Sequence, residues 1–191
     1  MTLLTPGSLD IIRAECFLSE ARRGHLWVPS DVCAVADELA AVVRMVDAEV
    51  MVATPQLTVH VNTDNGLHTV WRLAEALQAF SGPTVAQIGG VAKSAGLIIA
   101  CACERRVCQP NSVFLYHGSP YKAGIPDDRA KAQWFAKRTT QSEDFWFDLA
   151  AGGDDFEFGA EKALELGVVH EIAGYQVVGV KQNTTATGLG D

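Results

Sequence analysis

Residues 84–103, TVAQIGGVAKSAGLIIACAC, constrain this chain more tightly than any other stretch. An apolar segment passes through Gly89-Gly90 into a second one built largely from alanine, isoleucine and cysteine. The first, 84–91, reads as a short buried strand, and the second, 94–103, as a buried helix. Neither can be left against water, so both need other elements packed over them. Lys93 interrupts the run, and nowhere does the chain offer about 18 uninterrupted apolar residues, so no membrane span is expected.

The flanking sequence supplies the packing elements. Val32, Val35, Leu39, Val42, Val43 and Val46 recur at helical spacing over 31–49, with Ser30 as an N-cap after Pro29. The stretch 56-QLTVHVNT-63 alternates and is β-branched, which predicts a strand, and 64-DNG-66 is a turn signal. Residues 67–80 are again helical, 112–116 form a further strand, and 127–150 read as a long helix, whole or broken. A short helix over 159–167 closes at Gly167, and 168-VVHEI-172 follows as a strand. Strands alternating with helices predict an α/β architecture with a largely parallel sheet, because right-handed crossovers carry the helices onto the sheet faces. The length suits a single domain over residues 1–181, and the polar stretch 182-QNTTATGLGD-191 reads as a disordered tail.

Acidic residues outnumber basic ones, 23 to 15, for a formal net charge of −8. That argues against nucleic acid as the main partner, since phosphate binding needs a basic face. A mean hydropathy of +0.11 is mildly apolar, and an oligomer interface or a large core accounts for it. Cys16, Cys33, Cys101, Cys103 and Cys108 include no Cys-x-x-Cys pair. An odd count without a matching set of histidines reads neither as a disulfide framework nor as a zinc site, so no metal or cofactor is expected. Reduced thiols in a cytoplasmic protein are the simpler reading. The first residues lack a basic region followed by an apolar segment, so no signal peptide is expected.

Ser94 stands where the strand and its Gly-Gly turn give way to the apolar helix. A serine there sits among free backbone N–H groups, which suits a nucleophile and the oxyanion it creates. The plain alternative is a helix cap. His117 ends the strand 112–116 before Gly118 and Pro120, and adjacent parallel strands bring two such ends to one edge of a sheet. A serine nucleophile needs a base within hydrogen-bond reach and a third group to orient that base. His60 lies inside a strand, as a core or cleft residue, while His25, His68 and His170 read as loop or surface positions. Asp154 and Asp155, in a loop before a helix, are the candidate orienting acids, and a solvated or capping role suits at least one of them. No Gly-x-Ser-x-Gly motif is present.

With these residues in view, 88-IGGVAKSAGLIIA-100 resembles the nucleophile segment of the Clp protease proteolytic subunit family. The stretch 110-PNSVFLYHGSP-120 is similar to that family's histidine strand, 155-DFEFGAEKALELGVVHEI-172 to its acid-bearing loop and last helix, and 61-VNTDNG-66 to its oxyanion turn. The resemblance covers residues 57–172, leaving 1–30 poorly matched. It implies a spiral of repeated ββα units with helices packed on a mostly parallel sheet, of the kind shared with crotonases. It implies Ser94 as nucleophile, His117 as general base, Asp155 as its orienter, and the backbone N–H groups of Gly66 and Ala95 as the oxyanion hole. The implied activity is serine endopeptidase action on peptide or unfolded protein, in a homo-oligomer, with a ring and an ATP-dependent unfoldase partner as further implications.

The chain departs from the family in three places. Asp64-Asn65 replaces Pro-Gly in the oxyanion turn, and Lys93 stands where a small residue is usual, able to offset Asp64 or to reach solvent. The span from His117 to Asp155, 155 − 117 = 38 positions, is shorter than the family's ring-contact region. Its aromatics Trp134, Phe135, Phe145, Trp146 and Phe147 suit either an interface or a helix core. Two alternatives stay open. The stretch 95-AGLIIACACERRV-107 is also similar to the crotonase pattern, which needs no Ser-His pair, and a catalytically idle assembly subunit would tolerate the altered turn. A Ser–Lys dyad through Lys93 is a poorer option, since neighbouring side chains at a helix start diverge.

Overall fold

In the computed structural model, residues 6–49, 56–63, 69–118 and 128–174 are described. The expected tail at 182–191 lies outside them. The apolar run 84–103 becomes strand β3 (Thr84–Lys93) and helix α4 (Ala95–Ala102), with only Ser94 between them. The strand runs two residues beyond its expected end. All eight residues of α4 are buried, as their composition requires.

Around this pair the chain forms α1 (Pro6–Arg22), β1 (His25–Val28), α2 (Ala36–Glu49), β2 (Leu57–Thr63) and α3 (Val70–Ala79). After α4 come β4 (Arg105–Cys108), β5 (Val113–Tyr116), α5 (Asp128–Ala136), α6 (Glu143–Ala151), β6 (Phe156–Gly159), α7 (Ala160–Glu165) and β7 (Glu171–Ile172). The expected α/β class with a mostly parallel sheet is what forms. The path β1-β2-β3-β4-β7 is parallel throughout, β5 joins β3 in parallel, and β6 adds an antiparallel strand to β5.

One face of the sheet is closed. Leu26, Val59 and Ala86 lie in register, followed by Val28, Val61, Ile88 and Cys108, and all are buried. The row between them on the opposite face, Trp27, His60 and Gln87, is open or half-open. Among the described residues, no helix fully covers that row. His60 instead stacks on Trp27 with ring centroids 3.7 Å apart, and its Nε2 lies 3.1 Å from Nδ1 of His25.

Several boundaries differ from the sequence reading. The helix expected from residue 31 begins at Ala36, preceded by a 3₁₀ turn at Val32–Ala34, and Ser30 caps neither. Its carbonyl accepts a hydrogen bond from Thr63 Oγ1 at 2.6 Å instead. The 127–150 region is the broken form, because Ser142 Oγ accepts from Phe145 N–H and starts α6 afresh. The last strand is only two residues long. Gly167, at φ 70°, lets the N–H groups of Val168 and Val169 turn back onto the Ala163 carbonyl, so 168–170 close α7 rather than extend β7. α1 and β1 fall in the poorly matched 1–30, and two bidentate Arg–Glu pairs, Arg13–Glu38 and Arg22–Glu49, fasten α1 to α2.

Candidate active site

β3 changes partners along its length. Val85 to Ile88 pair with β4, whereas Val91 to Lys93 pair with β5. The switch falls on Gly89 and Gly90. On the other side, the register with β2 jumps from Val61↔Ile88 to Thr63↔Ala92, so extra β3 residues bulge out there. A bulge frees backbone donors, and one of them is recovered: Val91 N–H donates to Asn62 Oδ1 at 3.0 Å. A side chain at Gly90 would meet that same oxygen at 2.9 Å. The Gly-Gly pair therefore forks the sheet, and β5 enters the fork beside the strand that delivers Ser94.

Ser94 has φ 50° and ψ −106°, the one positive φ outside glycine among the described residues. Such a backbone costs about 1–3 kcal/mol and is kept where the surroundings enforce it. Here its N–H donates to the Leu115 carbonyl and its own carbonyl accepts from Ile98 N–H. Gly96 packs so close to Thr63 that an added Cβ would lie 2.6 Å from the Thr63 carbonyl oxygen. The sharp turn lifts the hydroxyl out of the helix-capping position, and no side-chain cap bond forms. Oγ instead lies 2.8 Å from Nε2 of His117.

His117 is half-buried at the end of β5. Its Nδ1 lies 2.5 Å from the Gly118 carbonyl oxygen. A carbonyl only accepts, so Nδ1 carries the proton and Nε2 presents its lone pair to the serine hydroxyl. That is the tautomer a general base needs. Gly118 is itself pressed onto the Ala150 carbonyl of α6, leaving no room for a Cβ. Below the pair, Tyr116 packs edge-on to Phe135 and against Trp146, both fully buried. Those two aromatics are core, while Trp134, Phe145 and Phe147 are half-buried.

Ser94 and His117 are thus brought together, and Asp155 is not joined to them. Its carboxylate is exposed and makes no hydrogen bond to His117. It is nevertheless aligned: the antiparallel ladder ends at Tyr116↔Phe156, and one step further sets Asp155 opposite His117. Asp154 is exposed one position farther out. Ala95 is buried as the first residue of α4, so its N–H has no acceptor within the helix. Gly66, the other expected oxyanion donor, lies outside the described residues, as do the rest of that turn and His68. Lys93 does not reach Ser94: at the surface, its Nζ pairs with Glu157 of β6 at 2.5 Å. That engagement removes it as a base.

The remaining candidates are occupied elsewhere. His170, expected at the surface, is exposed, yet its Nδ1 accepts from the Arg106 backbone N–H. Arg106 is buried and donates to the carbonyls of Cys103, Arg138, Gly167 and Val168, tying β4 to the chain after α7. Burial pushes the Cys101 and Cys108 thiols up to about 11 and Cys103 up to about 12, so these are protonated apolar groups, not nucleophiles. Among the described residues no three histidine, cysteine or acidic side chains gather as metal ligands, and no helix is long and apolar enough to cross a membrane. A cavity of about 610 Å³ opens on the exposed sheet face between Trp27, His60, Gln87 and Gln109, and neither Ser94 nor His117 lines it.

Sequence reasoning missed three contributors: Asn62, Gly118 and Lys131, whose ammonium donates to the His117 carbonyl at 2.5 Å. The available signal was a lysine beside Ala132 and four positions before Phe135, on the face of α5 that must be buried.

No family model matches the chain, and neither does any curated protein. Solved structures do. A protein described only as an enzyme superimposes with a TM-score of 0.69 at 14% identity, over 83% of this chain and 98% of its own. A point mutant of ClpP1 from Listeria monocytogenes gives a TM-score of 0.65 at 16% identity, over 84% of this chain and 95% of its own. The fold is ClpP-like.

Proposed function

We infer that the chain is a serine-type endopeptidase that cleaves peptide bonds through an acyl-enzyme. The observation that carries this reading is the 2.8 Å contact between Ser94 Oγ and the unprotonated nitrogen of His117, on a backbone strained to present the hydroxyl. A serine used only for capping would not need that backbone, and a thioester enolate site would not need the imidazole. His117 takes the hydroxyl proton as Ser94 attacks the scissile carbonyl, then returns it to the leaving amine. The Ala95 N–H, with Gly66, receives the developing oxyanion; one such donor is typically worth about 3–4 kcal/mol of barrier. Asp155, across the ladder from His117, offsets the imidazolium while the Gly118 carbonyl holds the tautomer. The ClpP-like fold supports unfolded polypeptide as the substrate class and a homo-oligomeric ring as the working form. An unfoldase partner and a cytoplasmic setting belong to the same reading.

A fluorophosphonate probe tests it. The wild-type protein becomes covalently labelled at Ser94 and hydrolyses short fluorogenic peptides, and Ser94→Ala does neither. Labelling that is absent from the wild type, or that persists in Ser94→Ala, overturns the assignment.

A further inference from the structure

One buried cation has no task in the chemistry above. Lys131 is 7% exposed on the inner face of α5. No carboxylate stands within ion-pair distance of it among the described residues; its Nζ faces the His117 carbonyl oxygen at 2.5 Å and the Tyr116 ring, with 4.7 Å to the centroid. An ammonium buried against one carbonyl and one aromatic face is an expensive choice where methionine would fill the same space. Burial accordingly lowers its pKa to about 8.

What the cation touches is the peptide that carries the base. The His117 carbonyl is drawn toward α5 by Lys131, the next residue, Gly118, is wedged against the Ala150 carbonyl of α6, and the Gly118 carbonyl receives Nδ1–H of the imidazole. The ring's direction thus follows from where the 117–118 backbone is held. We propose that Lys131 is a positioning residue, fixing that backbone so that His117 Nε2 meets Ser94 Oγ. This rests on the serine hydrolase reading, although the geometric claim can be checked without turnover.

Two measurements on the full chain decide it. The first is the second-order rate of fluorophosphonate labelling, with kcat and KM for a fluorogenic peptide, in Lys131→Met and Lys131→Gln. Displacing a catalytic group by about 1 Å typically costs 10²-fold, so Lys131→Met should label roughly 10²-fold more slowly, with kcat falling and KM within about threefold. Lys131→Gln, which keeps an N–H donor for the carbonyl, should recover most of the rate. A purely structural lysine would give no such split and no rescue. Wild-type labelling and kcat in folded Lys131→Met overturn the proposal. The second is the His117 ring N–H resonance in protein labelled with ¹⁵N-histidine, assigned by its loss in His117→Ala. It should be shifted far downfield in the wild type by the short bond to Gly118, and shifted back or lost in Lys131→Met. If wild-type protein never labels at Ser94, the hydrolase reading falls and this resonance alone judges the lysine; an unchanged resonance in Lys131→Met refutes it.

Discussion

The two halves of β3 are one strand with two purposes. From Val85 to Ile88 it lies between β2 and β4 in an unbroken parallel ladder, and its Ala86 and Ile88 side chains are fully buried. From Val91 to Lys93, past a bulge, it meets β2 again only at Thr63↔Ala92, takes β5 as a partner, and delivers a serine at a disfavoured φ. The first half holds only favourable local choices. Around the second half the unfavourable ones gather: two glycines at its start, a strained serine at its end and, behind His117, the Lys131 ammonium of α5 with no carboxylate within ion-pair distance among the described residues. Local rules broken together at one place mark a site, since stability alone gives no reason to keep them.

The contrast is sharpest where the chemistry can be removed without touching the ladder. Ser94→Ala and His117→Ala should each lower peptidase kcat by 10⁴-fold or more while the oligomeric state by native mass is unchanged. Activity retained in either variant would make the second half merely a bent strand.

Equal damage placed in the two halves should read out differently. Ile88→Ala removes a fully buried side chain and should cost about 2–5 kcal/mol by denaturant unfolding, with kcat in the surviving folded protein within a few-fold of wild type. Gly90→Ala pushes a methyl onto Asn62 Oδ1, threatens the bond to Val91 N–H, and so moves the segment ahead of Ser94. It should cost less stability, about 1–3 kcal/mol for the stranded donor, and far more activity. Similar activity losses in the two folded variants would mean that the fork has no influence on the hydroxyl.

The buried lysine predicts a dependence on pH. Its pKa is about 8 in the folded chain against 10.5 in the unfolded one, so between those values the unfolded state binds more protons. Stability contributed by this group therefore rises with pH from about 8 to 10.5, and below 8 its full burial cost, of order 3 kcal/mol, is present. The buried cysteines, with raised pKa values, act in the opposite direction as pH passes 9. The difference between wild type and Lys131→Met cancels their share: unfolding free energy measured from pH 7 to 10.5 should climb in the wild type relative to the variant. Parallel curves would mean that the ammonium is hydrated.

Much of this could be read in the sequence, and the physical reason is locality. Strand, Gly-Gly and buried helix follow one another within 84–103, and the Ser94 and His117 positions follow from where an apolar period stops. What escaped was set by partners distant along the chain. The open sheet face depends on what α1 does not cover. Arg106 and Lys131 are charged residues buried against backbone carbonyls, and a carbonyl leaves no mark in a sequence. The placement of Asp155 opposite His117 depends on one step of strand register. There the two candidates for the third group divide: Asp155→Asn should reduce kcat by about 10- to 10²-fold, less than loss of an acid that alone sets the tautomer, because the Gly118 carbonyl keeps the Nδ1 proton in place. A fall of 10⁴-fold would show that the carboxylate holds the ring during turnover.

The smallest effect isolates the backbone itself. Ser94→Gly and Ser94→Ala both lack the hydroxyl, so both should be inactive and both lose the bond to His117. They differ only in how well each tolerates φ 50° and ψ −106°. Glycine accepts this region freely but loses more chain entropy on folding, whereas alanine carries the full strain. Strain of about 1–3 kcal/mol against an entropy handicap of about 1 leaves glycine ahead by roughly 1 kcal/mol. For a chain of this size that is about 2–4 °C in melting temperature. If alanine melts at or above glycine, Ser94 sits at its turn without strain, and the second half of β3 gives up no stability to aim its hydroxyl.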